Sequence, residues 1–163
     1  MKKFILMCCL FFVTINCLYS GNVITQVIDG DTFLIKNNIN NAVQRYRLYG
    51  VDAPELNQEF GQTSKQYLEN ILKKNKIFLQ VINKDKYGRH VVLVYLILSD
   101  NMLICVNTQM VLDGMAFYSP QTKPVSNDLK FMQEIAKKYR KGIWKASNII
   151  EPWNFRKQKE NKK

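Results

Sequence analysis

Nine consecutive residues, His90–Leu98 (HVVLVYLIL), read as a long and strongly apolar β-strand, and the rest of the chain must supply neighbours to cover it. Several other segments have the same character. NVITQVI from Asn22, DTFLIK from Asp31, VQRYRLYGV from Val43, KIFLQVI from Lys76 and LICV from Leu103 are all strand-like. Asp29-Gly30 is a hairpin dipeptide between the first two, and NNINNA and NKDKYGR punctuate later turns. In VQRYRLYGV, Val43, Arg45, Arg47, Tyr49 and Val51 alternate with Gln44, Tyr46, Leu48 and Gly50. Helical spacing appears at Phe60–Asn75, with Tyr67, Ile71, Leu68 and Leu72 on its apolar stripe. A short helix is expected over NTQMVLDG. A longer one is expected over Asn127–Lys141, on Leu129, Met132, Ile135, Ala136 and Tyr139, with Gly142 as its stop. Strands followed by helices that do not alternate with them predict an α+β domain with a closed or nearly closed sheet, a pattern shared by several small barrels.

The N-terminus stands apart. A basic start (MKK) precedes the apolar block Phe4–Ile15, which is short of the about 20 residues a membrane span needs. Residues 1–20 therefore predict a secretory signal cut ahead of Gly21, a domain over 21–157 and a basic tail over 158–163. Export to the medium or a periplasm, without stable membrane association afterwards, is the expected location. Cys8, Cys9 and Cys17 would leave with the signal, so Cys105 has no internal partner and reads as a small buried hydrophobe.

The whole chain carries a net +11, and losing Lys2 and Lys3 lowers that only by two. A surplus of this size suggests a polyanionic partner, nucleic acid or an anionic membrane surface. No amphipathic Arg/Lys helix supports the membrane. Against this basic background the acids gather early: Asp29, Asp31, Asp52, Glu55 and Glu59.

Two phrases hold most of them, DGDT and DAPE. Taken alone, Asp29-Gly30 is a turn, and Asp52-Ala-Pro-Glu55 has the outline of a helix start. Taken together, each follows a strand, so Asp31 and Asp52 can converge at one end of a sheet. Carboxylates without imidazole or thiolate favour a hard cation such as Ca²⁺ or Mg²⁺. Arg47 precedes Asp52 on the same strand, and a guanidinium beside paired carboxylates suits phosphate chemistry. DKYGR offers Arg89, with Lys86 and Tyr87 as a phosphate contact and an aromatic platform, although Arg89 alone also reads as an ordinary turn arginine. A single histidine, His90, excludes mechanisms and zinc sites built on two.

In this order and spacing IDGDT, RLYGVDAPE, DKYGR, LDGMA and KGIW…PWNFRK resemble the staphylococcal nuclease (thermonuclease) family over essentially all of Asn22–Lys157. The resemblance implies a five-stranded OB-fold barrel with about three helices, and a Ca²⁺-dependent endonuclease acting on DNA and RNA and leaving 3′-phosphates. No obligate protein partner is evident, and a monomer is expected. It places Asp31, Asp52 and the backbone carbonyl of Ala53 on the metal, and Glu55 on the attacking water. Arg47 and Arg89 fall on the scissile phosphate, and Lys86 and Tyr87 in the nucleotide pocket. Ala53 stands where the best-known member has threonine. Neither of that member's two tyrosines beyond LDGMA has a counterpart here, and Tyr118 is the nearby substitute. The alternative from another class is a catalytically inactive OB-fold module that binds nucleic acid.

Overall fold

The computed structural model describes residues 22–99, 102–120 and 128–161. The signal segment 1–20 and the last two residues of the tail lie outside it. Eight strands and four α-helices are present among the described residues: β1 (Asn22–Val27), β2 (Thr32–Asn37), β3 (Val43–Leu48), β4 (Val51–Asp52), α1 (Gly61–Lys74), β5 (Ile77–Lys84), β6 (His90–Ser99), β7 (Met102–Cys105), α2 (Val106–Leu112), β8 (Phe117–Tyr118), α3 (Asp128–Lys138) and α4 (Pro152–Glu160). None of these helices is long and apolar enough to cross a membrane.

The main sheet runs β1-β2-β3-β6-β5, with β7 paired to β6. Its neighbours are antiparallel except β3 and β6, which run parallel with Tyr46 opposite His90. This is the strand order of an α+β OB-fold, a partly open Greek-key barrel. As its apolarity requires, the His90–Leu98 run lies inside the sheet, between β3 and β5, with Val92, Val94 and Leu96 facing the core. Phe33, Leu48, Leu68, Met110 and Val111 complete that core.

Several expectations shift. The alternation from Val43 holds only through Leu48. Tyr49 and Gly50 turn the chain, and Val51–Asp52 becomes a separate strand paired with β8, so Tyr49 and Val51 are buried rather than sharing a face with exposed Arg45. On α1 the centre of the buried stripe is Ser64, Leu68 and Leu72, while Tyr67 and Ile71 pack at its margin. The third helix begins at Asp128, beyond Asn127, which is outside the described residues. It ends at Lys138, before Gly142, because Arg140 already takes a left-handed φ of 46°. Tyr139 therefore leaves the helix exposed rather than on its apolar stripe. Cys105 closes β7 as a half-buried free thiol. Three helices were expected; α4 is the fourth, and it carries residues 158–160 of the expected tail.

Two polar side chains hold the layers in register. Asn107, fully buried at the start of α2, donates to the carbonyls of Tyr49 and Val92 and accepts from the Val94 N–H. It thereby fixes the β3–β4 corner against β6. Ser64 of α1 donates to the Met115 carbonyl beyond α2.

Candidate active site

The turn after β1 answers the ambiguity of DGDT. Asp29 accepts the Asp31 N–H on Oδ1 at 3.0 Å, an Asx-type turn. Gly30 sits between them because an added Cβ would meet Ala53 and Ser64 at 2.6 and 2.7 Å, so here the glycine is required by close packing. Burial first, and then the charge of Asp31, push the Asp29 carboxyl up to about 7. Asp31 follows, almost fully buried, just before β2.

Strand pairing does the rest. Thr32 lies opposite Arg47 in the β2–β3 ladder, so the Arg47 guanidinium reaches Asp31 Oδ1 at 2.5 Å. Its other terminal nitrogen reaches Asp52 Oδ1 at 3.0 Å and the Val51 carbonyl at 3.3 Å. Asp52 is placed by β4, pinned to Phe117 of β8. Asp31 is further held by the Thr32 hydroxyl at 2.8 Å and the Ala53 N–H at 3.0 Å. Burial alone would lower the Arg47 pKa; Asp31 and Asp52 outweigh it and raise the group, so this guanidinium is a fixed cation.

Glu55 stands on the loop before α1. Its N–H donates to the Gln58 side chain at 3.1 Å, and its carbonyl accepts the Gln58 N–H at 2.8 Å. Gly61 passes directly beneath: a Cβ there would lie 1.9 Å from the Glu55 carbonyl oxygen. The loop can close this tightly only over a residue without a side chain.

Arg89 enters from the β5–β6 turn. Asp85 organises it, accepting the N–H groups of Tyr87 and Arg89 on Oδ1 and Arg89 Nε on Oδ2 at 2.7 Å. Burial would raise the Asp85 carboxyl, but the Arg89 hydrogen bonds prevail and hold it below its ordinary range. The Arg89 guanidinium and Lys86 Nζ lie 5.3 and 5.1 Å from the exposed Tyr87 ring.

All of these groups open onto one cavity of about 730 Å³, lined by Asp31, Arg47, Asp52, Ala53 and Glu55 on one side and Lys86, Tyr87 and Arg89 on another. Tyr118 is not among the lining residues. Its backbone pairs with Val51 and donates to Gln133, and Ser119 reaches the cavity instead. His90 stacks on Tyr46, away from the cavity.

One functional group escaped the sequence. Arg156 of α4 places NH2 on Asp52 Oδ2 at 2.6 Å and NH1 on Glu55 Oε1 at 2.7 Å, with a longer contact to Asp52 Oδ1 at 3.3 Å. These hydrogen bonds, to Asp52 first, raise its pKa further. The only signal was the arginine in PWNFRK, whose partners lie 104 and 101 residues away.

The donor set fits a hard divalent cation. Asp31 and Asp52 offer only oxygen, converge closely enough for one guanidinium to bridge them, and are thus already arranged around positive charge. Among the described residues no third carboxylate, imidazole or thiolate joins them, so further ligands would be backbone carbonyl and solvent.

Known proteins similar to this chain point to one family. The family model described as staphylococcal nuclease homologue matches residues 45–146. A protein named micrococcal nuclease from Shigella flexneri is 31% identical over 148 residues, covering 88% of this chain and 83% of its own length. An uncharacterized endonuclease of Escherichia coli O157:H7 is 31% identical over 162 residues, 98% of this chain and 100% of that one. Another, from Haemophilus influenzae, is 32% identical over 139 residues, 84% and 73% of the two chains.

Proposed function

The chain belongs to the staphylococcal nuclease family and is a nuclease acting on nucleic acid, and from that premise we propose that it is an exported, calcium-dependent endonuclease. In this reading it works as a monomer, cuts DNA and RNA with little sequence preference and leaves 3′-phosphates. The observation that carries the reading is the convergence of Asp31, Asp52, Arg47, Glu55 and Arg89 on one cavity.

Asp31 and Asp52, with the Ala53 carbonyl, are the residues that would hold the cation, which when bound supplies positive charge to a phosphoryl oxygen. Glu55 accepts a proton from water as that water attacks phosphorus in line. A new bond forms from the water oxygen to phosphorus and the bond to the 5′-oxygen breaks. Glu55 works by its position over the attacking water. Arg47 and Arg89 face the negative charge that builds on the phosphoryl oxygens, each contributing about 3–4 kcal/mol, the scale of a lost oxyanion donor. Lys86 and Tyr87 border the same cavity and suit a neighbouring phosphate and base. Among the described residues no helix is placed to read a duplex groove, which suits cutting that ignores sequence.

The test incubates the full chain with single- and double-stranded DNA and with RNA, in calcium and in chelator, and maps the product ends. Cleavage in calcium alone is expected. Glu55→Ala should lose at least about 100-fold in turnover while keeping oligonucleotide binding. Binding without cleavage in any metal would favour the inactive binding module, and near-normal turnover in Glu55→Ala would remove Glu55 from its role.

A further inference from the structure

Arg156 contacts two of the acids the proposed reaction uses, yet that reaction gives it no part. We infer that Arg156 is a third phosphodiester ligand, delivered by α4 and held on Asp52 and Glu55 until substrate takes it over. This rests on the nuclease reading and adds a residue to its substrate-binding side.

Four observations carry it. First, the guanidinium spends its two terminal nitrogens on two different carboxylates, one a candidate cation ligand and the other the candidate base. The guanidinium occupies Glu55 Oε1, on the carboxylate that must hold the attacking water in the proposed reaction, so cleavage goes with Arg156 leaving it. Second, the departure costs little packing. The Arg156 side chain is 43% exposed, and α4 is anchored by other groups. Trp153 meets the Phe117 ring edge-on at 5.9 Å, Pro152 is buried, and Gln58 of the Glu55 loop donates to the Ile150 carbonyl at 2.5 Å.

Third, the destination is at hand. Arg156 and its neighbour Lys157 both line the cavity that holds Arg47 and Arg89. A planar fork that satisfies two carboxylate oxygens satisfies two phosphoryl oxygens equally well. Fourth, the cluster is rich in acid: Asp31, Asp52 and Glu55, with Asp29 beside Asp31, face Arg47 and Arg156. A cation held by Asp31 and Asp52 would compete with Arg156 for Asp52 and free the guanidinium for an anion.

The experiment compares wild type, Arg156→Ala, Arg156→Lys and Lys159→Ala in the full chain. The binding probe is a fluorescein-labelled single-stranded DNA of about a dozen nucleotides, within the site size of an OB fold. It carries a phosphorothioate backbone that keeps the charge and resists cutting. Anisotropy in saturating calcium gives its Kd, calorimetry with calcium chloride gives the affinity for the ion alone, and an unmodified oligonucleotide gives kcat and KM.

Arg156→Ala should raise Kd and KM about tenfold or more, as expected for losing a charged hydrogen bond, with calcium affinity unchanged or tighter. Arg156→Lys should recover part of the loss, since it restores charge without the fork, and it carries the test should the alanine variant unfold. Lys159→Ala, which removes a charge from α4 outside the cavity, should stay within about twofold of wild type. A probe Kd in Arg156→Ala within twofold of wild type overturns the inference. So does a fall in calcium affinity that parallels the loss of probe binding, because Arg156 would then act by holding the acid pair. If wild type binds the probe through Arg156 yet never cuts the unmodified strand, the nuclease reading fails and this inference stands.

Discussion

Asp113 gathers donors from three directions: the Tyr67 hydroxyl of α1, Gln109 of α2 at 2.6 Å and Lys141 beyond α3 at 3.2 Å. Burial would raise its carboxyl, but these hydrogen bonds outweigh burial and hold it below its ordinary value. A carboxyl depressed in the folded state contributes stability above its unfolded pKa and loses it as pH falls through the folded one. Asp113→Asn should therefore cost about 1–3 kcal/mol at pH 7. The deficit should shrink toward pH 3, as urea denaturation of both proteins at the two pH values would show. At this scale the sequence is legible where chemistry is local. Asp29 as the turn residue can be read from four letters, and its hydrogen bond from the Asp31 N–H bears it out. Asp31 as a ligand needs DAPE and the family resemblance beside it. Asp85 sits in DKYGR in plain view, yet its use in orienting Arg89 depends on how a turn closes, which no residue type announces.

Among the elements, α4 has the most to say about what a sequence hides. Its apolar face is narrow, a buried Pro152 with half-buried Trp153 and Phe155 on a helix otherwise polar, so periodicity gives no strong helical signal, and its basic end reads as solvated tail. What makes it an element is tertiary: Trp153 on Phe117 and Arg156 on Asp52. Trp153→Ala should undock it at a cost of about 1–2 kcal/mol, below the 3–5 of a fully buried tryptophan because this one is half-buried. The variant should also weaken oligonucleotide binding, which a melting curve and anisotropy together would register. The break of VQRYRLYGV into β3 and β4 has the same origin. Alternation continues in the letters, but Asn107 draws the Tyr49 carbonyl inward and the ladder ends. The longer strands, α1 and α3 were legible because each carries its own apolar period, whereas the two-residue β4 and β8 carry none.

Over the whole molecule, the balance of net +11 against an acid-lined pocket separates long-range attraction from local chemistry. In the proposed reading the basic surface draws a polyanion in, and the cavity that Arg47, Arg89, Arg156 and Lys86 line would meet its backbone. If these four each neutralise one phosphate of a single strand, log Kd should rise against log salt with a slope near 3, about 0.7 per contact. Titrations from low to high sodium chloride would measure it. An α+β domain with a nearly closed sheet and the clustering of the acid motifs followed from the letters, and the OB-fold from the family resemblance. The cavity's third wall did not, because it is built by residues joined only after the fold has formed.

Arg47 and Arg156 give the paired acids internal counter-ions. A pocket that balanced its carboxylates only with imported calcium would swell with self-repulsion whenever the ion was scarce. This one carries its own counter-charge, so under the calcium dependence proposed above, loss of the ion would stop cleavage and leave the fold intact.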